Sequence, residues 1–119
     1  MTTIFSNQVI LVEGRSDKLQ LLTLLDEPTE IICTHGTISN VKLEELLSPY
    51  DGLPIYAFLD ADKSGEQIRS IVRKEYPEAI HLYTNPMYGE VANTPMKVLA
   101  SILKRVNIKV KKELRLYIL

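Results

Sequence analysis

In the stretch PIYAFLDADKSGE, residues 54–66, an apolar run ends abruptly in Asp60 and Asp62, one residue apart. Two ionised carboxylates this close repel each other. At about 4 Å and an effective dielectric near 20 the cost is roughly 4 kcal/mol. Water, basic groups or a hard cation can offset it. Oxygen donors with no Cys or His beside them suit Mg²⁺ or Mn²⁺ better than zinc. The plainer alternative is a pair of solvated loop acids capping the helix that follows. Two further pairs stand in comparable places: Glu13-Gly14 follows the apolar run VILV, and His35-Gly36 follows IIC by one residue.

The elements that must position these residues alternate. Residues 9–12, 31–33, 54–59 and 79–83 are short runs rich in apolar residues, the pattern of strands in a parallel sheet covered on both faces. Between them lie helical spacings. Ser16 or Asp17 is expected to cap the first helix, with Leu19, Leu21, Leu22 and Leu25 as its apolar positions and Pro28 as its stop. Ser39 or Asn40 starts the second, which carries Val41, Leu43, Leu46 and Leu47. Ser64 and Gln67 have capping-box spacing for the third, with Ile68, Ile71, Val72 and Tyr76 on one face and Pro77 as its end.

Residues 84–93 read as a polar, turn-rich loop. Thr94 is expected to cap a fourth helix with Pro95 at its first position and Met96, Leu99, Ala100 and Leu103 as its stripe. Residues 107–111 alternate like a strand, and residues 114–119 fit strand or helix. Strand and helix alternating four times predicts an α/β fold: an open, mostly parallel sheet of about four strands, helices on both faces, and a C-terminal extension of undefined structure.

In a parallel sheet the strand ends share one edge, so Glu13 meets Asp60 and Asp62 if their strands are neighbours. Three carboxylates converging on one edge are hard to explain as solvated loop acids. That convergence favours a metal site over the helix-capping alternative.

Composition bounds the rest. The chain has 119 residues, enough for one domain with a real core, and 45% apolar with 24% charged residues is ordinary for a soluble protein. Neither a signal-peptide pattern nor an apolar run long enough for a bilayer is seen, so no membrane role is expected. The lone Cys33 sits in an apolar run and points to a reducing cytoplasm. Net charge is −1, which argues against a general polyanion binder. Its distribution is uneven: residues 1–96 carry 7 Lys and Arg against 14 Asp and Glu, and residues 97–119 carry 7 against 1. The basic end, with Lys104, Arg105, Lys109, Lys111, Lys112 and Arg115, is either a nucleic-acid footprint or the solvated face of a terminal element.

VILVEGRSD at residues 9–17, then HGT, then FLDADKSGE resembles the Toprim domain of topoisomerases, primases, small nucleases and recombination mediators. Its hallmarks, Glu-Gly after the first strand and Asp-x-Asp after the third, are both present. The resemblance covers roughly residues 7–83 and suggests a small stand-alone Toprim protein, one domain over residues 1–119 with a C-terminal helix and basic extension from 94. THGTIS and DADKSGEQIR resemble the corresponding segments of the ribonuclease that matures 5S ribosomal RNA.

The resemblance implies roles. Glu13 would be the general acid or base, or a metal ligand through water, and Asp60 and Asp62 would hold Mg²⁺ or Mn²⁺. Gly14 and Gly36 would shape the pocket floor, and Gly65 would ease the turn into its helix. Arg15, Lys18, Lys63 and Arg69 would meet phosphates. Asp17 fits either an acidic family position or a helix cap, His35 a substrate contact or a loop hydrogen bond, and Glu90 a further acid. Tyr83 and Tyr88 are expected to be packing residues.

Two functions follow. One is a small Mg²⁺-dependent nuclease or phosphotransferase acting on RNA or DNA. The other is a non-catalytic module binding nucleic acid or a protein partner in repair or RNA processing. A phospho-acceptor receiver domain also places acids at strand ends, but Glu13-Gly14 fits its acidic pair poorly.

Overall fold

The computed structural model describes residues 5–112; residues 114–119, read as strand or helix, and Arg115 lie outside them. The element order is β1 (Gln8–Val12), α1 (Arg15–Leu22), β2 (Thr29–Cys33), α2 (Asn40–Leu47), β3 (Ile55–Phe58), α3 (Lys63–Glu75), β4 (Ile80–Leu82) and α4 (Met96–Arg105). The four strands form one parallel sheet in the order β2-β1-β3-β4. It is the expected α/β architecture.

Strand alternation divides the core. Ile10 and Val12 of β1, with Tyr56 and Phe58 of β3, pack against Leu21 of α1 and Leu99, Ala100 and Leu103 of α4. Val9 and Leu11, with Ala57 and Leu59, pack on the other face against Leu43 and Leu47 of α2 and Ile68 and Val72 of α3. Successive strand residues point to opposite faces, so β1 is buried along its whole length and reads as a continuous apolar run.

Several local expectations need correction. On α1, Leu19 and Leu22 are exposed and Leu21 is fully buried, as is Leu24 in the turn that follows. The helix begins earlier than Ser16 or Asp17 would set it: Gly14 is its cap residue, and the Asp17 carboxylate accepts from the Gly14 N–H at 2.9 Å. Val41 is likewise exposed on α2. The cap of α3 is Asp62, which accepts from the Gly65 N–H at 2.7 Å, so Ser64 lies inside the first turn. Glu66 near the start of α3 and Arg73 and Lys74 near its end suit the helix dipole. Pro95, not Thr94, stands at the cap of α4; the Thr94 hydroxyl donates to the Glu90 carbonyl instead.

Residues 107–111 alternate in burial, with Ile108 and Val110 inside, and among the described residues they make one isolated antiparallel bridge, Leu25 to Val110. Among the described residues no helix is long and apolar enough to cross a membrane.

Candidate metal centre

The strand order reverses direction between β1 and β3, because the chain leaves β1 for β2 on one side and returns for β3 on the other. Ligands of open α/β sheets bind outside the C-terminal strand ends at this switch point. Glu13 leaves β1 here, and Asp60 to Asp62 leave β3. One carboxylate oxygen from each of Glu13, Asp60 and Asp62 lies within 4.8 Å of the others. Asp60 is buried, Glu13 half-buried and Asp62 exposed.

Electrostatics sharpen the picture. Burial, and then the Asp60 charge, push the Glu13 carboxyl from 4.5 up to about 7, against the one hydrogen bond it accepts, from the Asp60 N–H at 3.2 Å. Burial also raises Asp60, partly opposed by a 2.8 Å bond from the Val91 N–H. Of the two ion pairs among the described residues, Lys42–Glu45 and Arg73–Glu66, neither involves the cluster. Three converging oxygen donors, one unpaired enough to hold a proton near neutrality, fit a hard divalent cation.

The surroundings are held by backbone. Cys33 and His35 flank the first acid: the His35 N–H donates to the Glu13 carbonyl at 2.7 Å, and the Cys33 thiol to that of Gly14 at 3.5 Å. His35 and Gly36 both have positive φ, 59° and 96°, which turns β2's exit back across the cleft. That conformation suits glycine at 36 and strains the histidine at 35. Gly14, Gly36, Asp17 and Glu90 line a cleft of about 370 Å³ with Glu13 and Asp60.

Gly65 has helical geometry, so easing a turn is not its role. A Cβ there would collide with the Asp60 carbonyl oxygen and stand 2.9 Å from Glu13 Oε1. Only glycine lets α3 start this close to both acids. A glycine two residues inside a helix, where it costs about 1 kcal/mol relative to alanine, is the signal that could have shown it.

Arg15 and Lys63 are exposed near the cleft and Lys18 is half-buried. Arg69 corrects the expectation of a phosphate contact. Its guanidinium is buried and donates to the carbonyls of Ala57, Leu59 and Leu82 at 3.3, 3.1 and 2.6 Å, and it meets His81 Nδ1 at 3.1 Å. Burial, and then the Arg69 charge, keep His81 below its usual value, and because a guanidinium has only donors, Nδ1 is the acceptor. Arginine donors committed to carbonyls are not available to phosphate.

Sequence reasoning also missed a strap. After β4, the 3₁₀ turns Pro86–Tyr88 and Val91–Asn93 fold back over the acids. The Gly89 carbonyl accepts from the Ala61 N–H, and the Val91 and Ala92 N–H groups donate to Asp60 and Asp17. Asp17 thereby ties the start of α1 to this loop, so it is more than a helix cap. Backbone donors have no residue-type signature, which is why the sequence shows a turn-rich loop but not its bonds to the acids.

The Toprim domain family matches residues 8–93. The chain therefore belongs to the Toprim family. Its structure superposes on that of a small TOPRIM domain protein from Bacillus stearothermophilus with a TM-score of 0.86 and 44% identity, covering 92% of this chain and 93% of that one. The uncharacterized protein YusF of Bacillus subtilis is 45% identical over 103 residues, which are 87% of this chain and 70% of that protein. Ribonuclease M5 of Lactococcus lactis is 39% identical over 80 residues, 66% of this chain but only 38% of the ribonuclease.

Proposed function

We propose that this protein is a divalent-cation-dependent phosphoryl-transfer protein acting on nucleic acid, nuclease-like in its chemistry. The observation that carries this reading is the cluster of Glu13, Asp60 and Asp62 at the β1/β3 switch point, with no basic side chain paired to it among the described residues. Asp60 and Asp62 would hold Mg²⁺ or Mn²⁺, with Glu13 as a further ligand through water or as the general acid or base. When bound, the cation would neutralise phosphate charge and orient the attacking or leaving oxygen. The Glu13 carboxyl, at about 7 without the cation, sits where one group can both take and give a proton.

Gly14 and Gly36 would let phosphate approach backbone, and Arg15, Lys18 and Lys63 would contact flanking phosphates. We read α4 and the Ile108–Val110 stretch as part of the same domain as the Toprim core, since their apolar side chains complete one of its two core clusters. The likeness to ribonuclease M5 supports nucleic acid as the substrate class.

A second reading is a non-catalytic module that binds nucleic acid or a protein partner. It rests on the chain's spanning little more than a third of ribonuclease M5. Incubation with mixed RNA and DNA in Mg²⁺, Mn²⁺ or chelator tests both. Cation-dependent cleavage that Glu13→Gln abolishes supports the enzyme; cation-dependent binding without cleavage supports the module.

A further inference from the structure

Tyr83 follows the last residue of β4. Its chain neighbour Leu82 pairs with Phe58, so continuing that register sets Tyr83 level with Leu59, one residue before the Asp60 loop and on the same edge as the acids. It is 55% exposed. Exposed tyrosines are ordinarily mobile, but this one is fixed twice. The Arg69 guanidinium lies over one face, 4.0 Å from the ring centroid, and Arg73 donates to its hydroxyl at 3.1 Å. Arg69 is itself locked by three carbonyls, and Arg73 is tied to Glu66 at 2.9 Å. The His81 ring also stacks with it, centroids 6.4 Å apart and planes 29° apart, and beside these contacts the residue still keeps more than half of its surface open.

We propose that Tyr83 is a stacking platform for an unpaired nucleobase of a strand whose phosphate lies at the acidic cluster; this rests on the nucleic-acid reading above. A base on a tyrosine face is sequence-tolerant because every base has a π-face, and a ring already immobilised loses little further freedom on binding. The cation beneath the ring adds a fixed positive charge on the far side from the base. The platform selects single strands over duplex, in which base faces are occupied by their neighbours.

The test uses the Glu13→Gln background, so that the strand stays intact, and compares a single-stranded thymidine oligonucleotide with an abasic strand of equal length. The chain contains no tryptophan, so Tyr83→Trp creates a unique fluorophore at the platform. Its emission is expected to be quenched by the thymidine strand and left unchanged by the abasic one. Tyr83→Leu still covers Arg69 but cannot stack. It should bind the thymidine strand about 5- to 150-fold more weakly, the range for losing one stacked base, with abasic binding unchanged. Tyr83→Phe, which keeps the ring, should stay within about twofold of the parent.

Equal thymidine binding by Tyr83→Leu and its parent, or equal quenching by the two strands, overturns the platform while leaving the nucleic-acid reading intact. If Tyr83→Leu does not fold, the tryptophan comparison decides alone. A parent that binds neither strand overturns both readings together.

Discussion

Arg69 and the Glu13–Asp60–Asp62 cluster lie at the same end of the sheet and are treated in opposite ways. The cation is buried among acceptors supplied by the protein: three carbonyls, a neutral histidine and a tyrosine face. The carboxylates are crowded together, and among the described residues no ion pair relieves them. Pairing the two regions would have been the cheaper arrangement electrostatically. Keeping them apart leaves Arg69 to hold β3 and β4 to α3 and leaves the acids for a partner from outside.

The contrast breaks most readily at Glu13. Loss of a positioned acid or base lowers rate by about 10²- to 10⁴-fold, so Glu13→Gln should remove nearly all cation-dependent cleavage in a strand-cleavage assay while melting no lower than the wild type. A variant that still cleaves would assign the proton transfer elsewhere.

Arg69→Met should do the reverse. It strips donors from buried carbonyls, each costing about 1–3 kcal/mol, so a loss of roughly 3 kcal/mol or more is expected in urea unfolding. Calorimetric titration with Mn²⁺ should show near-normal affinity for whatever fraction folds. Weakened affinity with an unchanged unfolding midpoint would place Arg69 in the site after all.

Gly65→Ala tests the seam between the regions. Overpacking typically costs about 1–3 kcal/mol, and here the added methyl meets both the Asp60 backbone and the Glu13 carboxylate. Stability and Mn²⁺ affinity should therefore fall together. A variant losing only one of them would show that α3 can draw back from the acids.

Smaller effects attach to charge alone. Glu13 is raised from 4.5 to about 7, so the metal-free fold keeps a proton that the unfolded chain has already lost. Stability in chelator should be fullest below pH 4.5 and decline as pH rises towards about 7. The fall is on the order of 1–2 kcal/mol after allowing for solvent screening of a half-buried group. Thermal melts across this range should lose that decline in Glu13→Gln. Asp62→Asn should be smallest of all without metal, within about 0.5 kcal/mol, because asparagine caps a helix as well as aspartate does. Only with Mg²⁺ present should its melting temperature fall behind the wild type; a clear loss in chelator would make the cap its main role.

How much of this was readable from the residues varies with what the residues answer to. The parallel order was legible because β1 and β3 are buried on both faces and show it as unbroken apolar runs. The α1 stripe was not: five leucines crowd residues 19–25, and which of them faces inward depends on where Gly14 starts the helix. Asp62 was legible as an acid near a helix start, but the competing Ser64 hid that it is itself the cap. Arg69 looked like any basic residue beside an acidic motif, since three of its partners are carbonyls that every sequence possesses. The strap escaped for the same reason.

That strap also makes the amides of Ala61, Val91 and Ala92 unusual messengers. They lie outside the strands and the main helices, yet each is bonded to an acceptor across the site edge, so their hydrogens should exchange with water as slowly as those of a sheet. Two of the three acceptors are carboxylates whose bonds strengthen with ionisation. The Val91 and Ala92 amide resonances should therefore move when Asp60 and Asp17 change charge, giving a spectroscopic gauge of the acids read from the backbone alone.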